Sequence, residues 1–403
     1  MTHVVVVGAG QAGASLVARL RSQGFDGRIT LIGEEAAPPY QRPPLSKKYL
    51  LGEMELERLY LRPESYYSEN GIDLHLNEVV NAIDRADKVV IAGGHRLNYD
   101  HLVLTTGSVP RRLPPAVGGM LQGVYTVRDL RDVDSMAGAF RPGARVLIVG
   151  GGYIGLEAAA VASSKGLQVV LVEMADRILQ RVAAPETSGY FRDLHRAHGV
   201  DIREGVGLST LLGEGHVTGA RLTDGSELPV DFVIVGVGIT PATELAEAAG
   251  LEIDNGIAAD AQGRTSDPSI WTAGDCASFP HEAGRLRLES VPNAIDMAEC
   301  VADNIMGAGK TYVPQPWFWS DQYDVKLQIA GLNAGYDRVV TRAGDKPGSV
   351  SFWYFAGDRL LAVDAANDPR AYMVGKRQID SGKTADPGAI ADPATELKSL
   401  LQA

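Results

Sequence analysis

Two glycine-rich segments constrain the fold of this chain more than any other feature. The pattern Gly-x-Gly-x-x-Gly occurs at residues 8–13 and again at 150–155. Each copy follows a short run of β-branched residues and precedes a helical pattern of apolar residues. An acidic residue closes the next apolar run in both places, Glu34 after the first copy and Glu173 after the second. Strand, tight turn, helix, strand and acid in this order predict a dinucleotide-binding unit, so the chain is expected to hold two.

The glycines of such a turn have separate roles. The first permits the tight turn, the second lets the backbone approach a pyrophosphate, and the third lets the helix pack on the strand. The N–H groups at the start of the helix attract the phosphates. The six predicted binding glycines are Gly8, Gly10, Gly13, Gly150, Gly152 and Gly155.

Composition excludes several classes of function. The chain has 403 residues, enough for two or three domains, and 45% of them are hydrophobic. Its net charge of −12 disfavours general binding of nucleic acids or anionic membranes. There is no uninterrupted apolar run of about 18 residues, so no membrane span is expected. Because Cys276 and Cys300 suggest no disulfide framework, a cytoplasmic protein is the simplest expectation.

The glycine motifs belong to a repeat at the scale of a domain. Each of the two segments ends in a buried-strand pattern that runs into a glycine, near 107 and near 238. The expected fold class is α/β, with two Rossmann-like dinucleotide-binding domains and a C-terminal α+β domain. The predicted boundaries are 1–109 with 241–313 for the first domain, 110–240 for an inserted second domain, and 314–403 for the third. That third segment has a net charge of only −1, from 10 basic and 11 acidic residues.

The loop at 42–47, Arg-Pro-Pro-Leu-Ser-Lys, carries a candidate catalytic cation. Lys47 could stabilise negative charge on a reduced flavin ring, although a solvated lysine is the alternative. Ser46 is a candidate helix cap. Glu157 follows the second glycine motif, on the opening turn of a predicted helix, where a favourable interaction with the helix dipole is one interpretation. A Lys47–Glu157 ion pair across the domain interface is the other.

Two acidic residues indicate which dinucleotides bind. Asp275 closes a strand in the sequence Thr-Ala-Gly-Asp and could contact a flavin ribityl chain, although a turn or a helix cap is the alternative. Glu173 could accept hydrogen bonds from a ribose 2′-hydroxyl and would repel a 2′-phosphate, which favours NADH over NADPH. Arg177 could help a phosphate, so it weakens this preference. Glu34 is expected to accept hydrogen bonds from the other ribose.

Cysteines and histidines are informative through their positions. No cysteine lies near the 42–50 loop, so a thiol relay next to a flavin is not expected. Both cysteines are expected to be buried small residues. Two cysteines cannot supply the four thiolates of an iron–sulfur cluster, and the histidines show no metal-ligand spacing. No metal site is therefore predicted, and electrons are expected to leave to a separate protein.

Six segments together resemble one family. They are the glycine motif at 8–13, Pro-Pro-Leu-Ser-Lys at 43–47, the motif at 150–157 ending in Leu-Glu, Thr-Ala-Gly-Asp at 272–275, Glu-Ser-Val-Pro-Asn at 289–293 and Pro-Trp-Phe-Trp-Ser-Asp-Gln at 316–322. In this order they resemble the FAD-dependent, NADH-using ferredoxin reductases, which are glutathione-reductase-like flavoproteins. The resemblance covers nearly the whole chain. It implies FAD at the first dinucleotide site and NADH at the second.

The resemblance also implies roles for individual positions. Those expected to contact FAD are Ala12, Glu34, Lys47, Val80, Arg128, Asp275 and Val291, and the strand-end or loop positions Arg42, Thr106, Gly107 and Gly274 are assigned with them. Those on the NADH side are Gly152, Ile154, Glu157, Glu173 and Gly238. Trp319 matches an aromatic residue beside the flavin where electrons leave. Trp317 and Trp319 share a strand face, and packing in a core is the alternative for both.

The implied partner is a small 2Fe-2S ferredoxin, which would serve a bacterial cytochrome P-450. Because ferredoxins are generally acidic, a local basic patch should steer docking, and the candidates are Arg42, Lys48, Lys326, Arg370, Lys376 and Arg377. Rubredoxin reductase and the ferredoxin reductase of a ring-hydroxylating dioxygenase are alternative functions. A binding protein like apoptosis-inducing factor, controlled by its NADH state, is an alternative of another class. Oligomeric state is left open, with a monomer favoured.

Overall fold

The computed structural model describes residues 1–282 and 284–402 and divides into two compact units. The first unit comprises Met1–Arg42, Glu55–Val109 and Ile239–Pro316. The second unit comprises Pro43–Met54, Pro110–Gly238 and the chain from Trp317 onward. The loop that carries Lys47 therefore groups with the second unit, and the predicted division into three domains stays a prediction.

The strands are numbered in chain order over the described residues. They are β1 His3–Val7, β2 Arg28–Ile32, β3 Ile72–His75, β4 Val80–Asp84, β5 Val89–Ala92, β6 His95–Asn98, β7 His101–Leu104, β8 Ser108–Pro110, β9 Val124–Tyr125, β10 Arg145–Val149, β11 Gln168–Glu173, β12 Asp201–Glu204, β13 Leu208–Leu212, β14 Gly219–Leu222, β15 Glu227–Pro229, β16 Phe232–Val235, β17 Ile239–Pro241, β18 Ile257–Ala258, β19 Ile270–Thr272, β20 Ala277–His281, β21 Gly284–Leu286, β22 Trp317–Gln322, β23 Val325–Gly331, β24 Arg338–Ala343, β25 Val350–Ala356 and β26 Arg359–Ala366.

The α-helices are numbered in the same way. They are α1 Gln11–Ser22, α2 Ser65–Glu69, α3 Leu130–Ala137, α4 Tyr153–Ser164, α5 Pro185–Ala197, α6 Glu244–Ala248, α7 Val291–Ile305, α8 Pro369–Asp380 and α9 Pro387–Ala391. Short 3₁₀ turns lie at Leu56–Arg58, Pro115–Val117 and Leu397–Gln402, and a π-helical turn lies at Leu45–Tyr49.

The first unit is built on a five-stranded parallel sheet. Its strand order is β19-β7-β1-β2-β3, so the first strand of the chain lies at its centre. Val4–Val7 are buried because helices and loops cover both faces of a parallel sheet, which explains the uninterrupted apolar run. The helix α1 packs against α7, and an ion pair of 2.7 Å between Arg19 and Asp303 joins them.

A second parallel sheet forms the centre of the second unit. Its order is β12-β11-β10-β16-β9, again with the strand before the glycine motif at its centre. Both glycine motifs thus follow the central strand of a parallel sheet, as the repeat predicts. The helices after them, α1 and α4, each begin three residues before the apolar runs that predicted them, because Gly13 and Gly155 lie inside the helices.

The C-terminal part of the second unit contains a five-stranded antiparallel sheet in the order β22-β23-β26-β25-β24. The helix α8 packs on one face of it, over Trp353 and Val363. This part is α+β, so the predicted fold class is confirmed. None of the helices in the described residues is long and apolar enough to cross a membrane.

Candidate functional site

The first glycine turn lies between β1 and α1 in the first unit. Gly8 has a φ of +115°, and a Cβ there would lie 2.2 Å from the Thr105 carbonyl oxygen. A Cβ at Gly13 would lie 2.1 Å from the Gly8 carbonyl oxygen. Two of the three glycines are therefore required by the packing of the protein itself.

Gly10 differs from the other two glycines. Its φ of −95° and ψ of −160° are open to any residue, and a Cβ there would meet no atom within 4 Å. It is the N-cap of α1, where no side chain accepts a hydrogen bond from the free N–H groups. Nothing inside the described protein requires glycine at this position, whereas a phosphate bound at the helix N-terminus would.

The carboxyl ends of three neighbouring strands meet beside this turn. β1 ends just before Gly8, β7 ends before Thr105 and Thr106, and β19 ends before Gly274. Gly274 has a φ of +86°, and a Cβ there would lie 3.1 Å from the Cβ of Ala12 on α1. Small residues thus keep this edge of the sheet open, and ligands of open parallel sheets bind at this edge.

Several further predicted FAD contacts also belong to the first unit. The Ser108 hydroxyl donates to the Asp275 carboxylate at 2.9 Å, and the Thr106 hydroxyl donates to the Ala242 carbonyl at 2.7 Å. Gly107 has a φ of +72°. Val291 is the first residue of α7, and Val80 begins β4. Their roles toward FAD stay predictions.

Glu34 and Arg42 differ in their surroundings. Glu34 is exposed just after β2, and no hydrogen bond to its carboxylate occurs among the described residues. Arg42 is bound to Glu35 at 2.6 Å and lies over the Tyr40 ring at 5.2 Å. The Tyr40 hydroxyl donates to the same Glu35. Glu35 and Tyr40 were missed by the sequence analysis, although their proximity to Arg42 in the chain was an available signal.

The second glycine turn repeats this pattern in the second unit. Gly150 has a φ of +108°, and its Cβ would lie 2.4 Å from the Gly236 carbonyl oxygen. A Cβ at Gly155 would lie 2.1 Å from the Gly150 carbonyl oxygen. Gly152 again has nothing within 4 Å and is the N-cap of α4 without a side-chain cap. The middle glycine is therefore free of any internal requirement at both sites.

Glu173 ends β11 and binds the turn directly. Its carboxylate accepts a hydrogen bond from the Gly151 N–H at 2.7 Å and another from the Ala175 N–H at 2.8 Å. A carboxylate has about four acceptor positions, so capacity for ribose hydroxyls is left. Arg177 was the residue that weakened the predicted preference for NADH over NADPH. Its guanidinium donates a hydrogen bond of 2.5 Å to the Ser188 hydroxyl.

The other residues assigned to the NADH side surround the same turn. Ile154 is 47% exposed although it is apolar, and it is the second residue of α4. Gly238 lies past the end of β16 with a φ of +101°, and its carbonyl accepts a hydrogen bond from the Arg111 N–H. Arg128, assigned to FAD, lies just before α3 in this unit, and its N–H donates to Asp132 at 2.9 Å. These roles stay predictions.

An ion pair joins Lys47 and Glu157. The Lys47 Nζ lies 3.0 Å from Glu157 Oε1 and 3.7 Å from Asp321. The pair expected from the sequence is therefore present, with both residues inside the second unit. Glu157 is 4% exposed and lies in the second turn of α4, beyond the first turn where the helix dipole would matter. Burial raises the pKa of Glu157, against the opposing effects of Lys47 and of two serine hydroxyls.

Ser46 does not cap a helix, so that prediction is wrong. The N-cap of the π-helical turn is Pro44, and the Ser46 hydroxyl donates to Glu157 Oε2 at 3.1 Å. The backbone of Lys47 interrupts the turn, with φ −132° and ψ −113°. The loop is tied to the rest of the unit by a 3.0 Å hydrogen bond from Lys165 to the Leu51 carbonyl.

Comparison with known proteins identifies the family. The model of the pyridine nucleotide-disulphide oxidoreductases matches residues 2–298, and a reductase C-terminal model matches residues 317–401. The chain belongs to the pyridine nucleotide-disulphide oxidoreductase family. It is 43% identical to a ferredoxin–NAD(P)⁺ reductase of Sphingomonas sp. over 408 residues, which cover 99% of this chain and 98% of the relative.

Two further relatives extend this result. The crystal structure of a covalent putidaredoxin reductase–putidaredoxin complex matches with a TM-score of 0.95 and 40% identity, covering 100% of this chain and 98% of that one. A rubredoxin–NAD⁺ reductase of Pseudomonas putida is 37% identical, over 91% of this chain and 96% of its own. The predicted family and the predicted class of oxidoreductase are confirmed. Reductases of this family use FAD and NAD(H), which confirms the predicted cofactors.

The residues fit those two cofactors. At each site the helix begins with N–H groups that no side chain caps. The N-cap glycine beside them has open space where a Cβ would lie, which leaves room for a phosphate. The family is named for disulphide chemistry, yet Cys276 is fully buried and Cys300 is half-buried, and both are free thiols. Cys300 is thus less buried than predicted. The described residues contain no cluster of three His, Cys, Asp or Glu side chains able to hold a metal.

Trp319 and Trp317 lie on the same face of β22, as their spacing predicts. Their rings stack with centroids 5.6 Å apart, and both are partly exposed. Ser320 and Gln322 alternate with them on the strand and are buried. Neither polar residue was predicted to belong to the site, although their spacing of two predicts a shared face. Ser320 donates to Glu157 Oε1 at 2.8 Å, so it belongs to the buried ion-pair site.

Proposed function

We propose that this chain is an NADH-dependent flavoprotein reductase that passes electrons through FAD to a 2Fe-2S ferredoxin, which serves a bacterial cytochrome P-450. One observation carries the proposal: two dinucleotide turns whose middle glycines, Gly10 and Gly152, are required by nothing inside the described protein. When bound, FAD accepts a hydride from NADH and releases electrons singly. A protein of this kind needs one permanent and one exchangeable dinucleotide.

The first turn is proposed as the FAD site. The N–H groups at the start of α1 would hold the pyrophosphate, and Gly10 would admit it to the backbone. Glu34 has an exposed carboxylate after β2 and is proposed to bind the adenosine ribose. Asp275 is held by Ser108 and is proposed to orient the ribityl chain. Lys47 is proposed to supply positive charge beside the flavin ring, and Trp319 to lie on the exit path of the electrons.

The second turn is proposed as the NADH site. Glu173 is fixed by two backbone N–H groups and keeps free acceptor positions for ribose hydroxyls. A 2′-phosphate would meet this carboxylate, and Arg177, the cation nearest in sequence, is occupied by Ser188. Exclusion of NADPH would thus follow from a charge repulsion that Arg177 does not relieve.

Ion pairing supports three of the six basic candidates as a proposed ferredoxin-docking patch. Arg42, Arg370 and Lys376 are already paired with carboxylates, at 2.6, 2.7 and 2.6 Å. In contrast, Lys48, Lys326 and Arg377 are exposed, and no ion pair to them occurs among the described residues. These three are proposed as the steering charges for an acidic partner.

The decisive experiment compares electron acceptors. The purified flavoprotein is reduced anaerobically with NADH, and cytochrome c reduction is then measured with and without 2Fe-2S ferredoxins. Ferredoxin should raise the rate at least tenfold. Equal rates with and without any ferredoxin would refute the proposal, and a preference for rubredoxin would favour the rubredoxin reductase alternative.

A matched pair of variants tests the docking patch. The triple variant Lys48→Ala, Lys326→Ala and Arg377→Ala should slow ferredoxin reduction at low salt and leave NADH–ferricyanide activity unchanged. Arg221→Ala removes one exposed positive charge from the small sheet at β14 and serves as control. If both activities fall together, the three residues do not form a docking patch.

A slow, non-enzymatic alternative makes a different forecast. A binding protein regulated by NADH would turn over slowly with every acceptor and keep a long-lived reduced complex with NAD.

A cytoplasmic location is also proposed, and cell fractionation with detection in the soluble fraction tests it.

A further inference from the structure

A line of buried hydrogen bonds leads from Glu157 to the far side of the second unit. The Ser320 hydroxyl donates to Glu157 Oε1 at 2.8 Å and lies 3.1 Å from Gln322 Nε2. Gln322 Oε1 lies 2.8 Å from His195 Nε2. His195 Nδ1 lies 3.1 Å from the Tyr323 hydroxyl. Five side chains therefore form one continuous chain that begins at the partner of Lys47.

These side chains come from separate elements that are packed together. Glu157 lies on α4, His195 lies near the end of α5, and Ser320 and Gln322 lie on β22. His195 and Gln322 are both fully buried. Burying a polar group costs free energy unless the group is hydrogen-bonded. Each polar side chain in this line therefore depends on its neighbour for a hydrogen-bond partner.

If Glu157 is ionised, its charge determines which group donates and which accepts in every hydrogen bond of this line. An ionised carboxylate only accepts, so the Ser320 hydroxyl must donate to it. Ser320 then accepts from the Gln322 amide N–H, which turns the Gln322 carbonyl toward the imidazole. His195 must therefore carry its proton on Nε2, and its Nδ1 accepts from Tyr323. All of these donors point toward Glu157, and each of the linked side-chain atoms from Glu157 Oε1 to the Tyr323 hydroxyl has a partner.

A protonated Glu157 would permit the opposite direction. It could donate to Ser320, which would donate to a flipped Gln322, whose N–H₂ would face His195. The imidazole would then carry its proton on Nδ1 and donate to Tyr323. The line of hydrogen bonds can therefore run in either of two donor–acceptor directions, and the tautomer of His195 distinguishes them.

We propose that Ser320, Gln322 and His195 are positioning residues that hold Glu157 in its charged form and so fix the Lys47 ammonium in place. The proposal rests on the proposed function only in its last step, the use of Lys47 beside the flavin. The three residues act at different distances from Glu157. Ser320 contacts Glu157 directly, whereas Gln322 and His195 act on Glu157 through Ser320.

Charged and titratable groups lie at both ends of this line of hydrogen bonds. Lys47 and Asp321 face the Glu157 end. At the other end, His198 stacks on the Tyr323 ring with centroids 3.7 Å apart and is the C-cap of α5, three residues after His195. Burial lowers the pKa of His195 to about 4, so the imidazole is neutral in the range where the enzyme would be assayed. A change of tautomer there is not a change of charge on His195.

The first test reads the tautomer of His195 directly. Holoenzyme labelled with ¹⁵N-histidine is studied by NMR from pH 5.5 to 8.5, and His195→Gln assigns its signals among the eight histidines. We expect a neutral Nε2–H tautomer near pH 8, with a growing share of Nδ1–H as Glu157 takes up a proton. An Nδ1–H tautomer at every pH overturns the proposal. This measurement uses no ferredoxin and no NADH, so it can succeed even if the proposed function fails.

The second test measures the pH profile of flavin reduction by NADH in stopped flow. Ser320→Ala should raise the lower apparent pKa by about one unit or more, because a hydrogen bond to a charged carboxylate is lost. His195→Leu should raise it by a smaller amount, and His195→Gln should restore much of the difference, because the Gln amide can donate to Gln322. An unchanged profile in Ser320→Ala overturns the proposal.

Thr187→Val provides the matched control. Thr187 is also buried on α5 and bonds across to the C-terminal sheet, at 2.9 Å to Asp364. It is not part of the chain that reaches Glu157. This variant should lower thermal stability as His195→Leu does, yet leave the pH profile and the His195 tautomer unchanged. If it shifts the profile equally, the effect comes from general loosening of the packing and the proposal is overturned.

Discussion

The middle glycine of each turn permits a sharp separation between folding and ligand binding. Gly152→Ala places a methyl group where no atom lies within 4 Å, on a backbone with φ −79° and ψ 177°. Restricting the unfolded chain stabilises by about 0.4–1 kcal/mol. Ala is a poorer N-cap than Gly by a similar amount. The free energy of unfolding should therefore change by less than about 1 kcal/mol.

In the same variant, the free energy of NADH binding should change far more than the free energy of unfolding. The methyl group would separate the pyrophosphate from the N–H groups of α4, which have no side-chain cap. A hydrogen bond to a charged group contributes about 1.5–3 kcal/mol, so the loss of one weakens binding by roughly 10- to 150-fold. Stopped-flow reduction at varied NADH concentration gives the Kd, and absorbance gives the FAD content, which should stay normal.

Gly155→Ala is the contrasting variant. Its Cβ would lie 2.1 Å from the Gly150 carbonyl oxygen, so backbone must move and stability should fall by about 1–3 kcal/mol. Thermal unfolding followed by flavin fluorescence separates the two variants. The reasoning fails if Gly152→Ala binds NADH as the unmodified protein does, or if it loses as much stability as Gly155→Ala.

Three further outcomes are expected. Glu173→Ala should weaken NADH binding and narrow the NADH-to-NADPH preference by about tenfold without reversing it, because Arg177 stays bound to Ser188; Kd values for both nucleotides measure this. Asp364 has a pKa raised to about 6 by burial, against 3.8 ordinarily, so the native state binds its proton more tightly than the unfolded state. Lowering the pH from 7.5 to 4.5 should thus add about 2 kcal/mol of stability that Asp364→Asn does not gain, as denaturant titrations at several pH values would show. Finally, the double variant Cys276→Ser and Cys300→Ser should keep NADH-dependent ferredoxin reduction, measured as cytochrome c reduction, and loss of activity with normal FAD content would indicate thiol chemistry.

Much of the fold could be predicted because local signals and packing agree. The runs at 4–7 and 146–149 are apolar throughout, and the structure makes both the central strands of parallel sheets, where both faces are covered. The glycines that follow mark turns with positive φ at Gly8 and Gly150. Sequence, strand position and backbone conformation therefore all point to the same arrangement.

The ion-pair site was only partly predictable, because its members come from three distant parts of the chain. The Lys47–Glu157 pair was one of two interpretations of Glu157, favoured by the opposite charges of the two residues. Ser46 illustrates the failure: its sequence neighbours suggested a local cap, while burial of Glu157 created a stronger demand for a donor. Ser320 supplies Glu157 with a second hydroxyl donor from a strand far along the chain, and Gln322 donates to Ser320.

The unequal tolerance of the glycines also explains why one motif can support two different dinucleotides. At each turn the protein's own carbonyl oxygens lie within 2.4 Å of the point that a Cβ on the first or third glycine would occupy. Those contacts set the geometry of strand and helix, and they are the same at both sites. Of the three glycines, only the middle one has open space where its Cβ would be, so both turns are proposed to hold a phosphate in the same way. We propose that the surrounding residues distinguish FAD from NADH. Glu34 is exposed at one turn, whereas Glu173 at the other accepts a hydrogen bond from the Gly151 N–H.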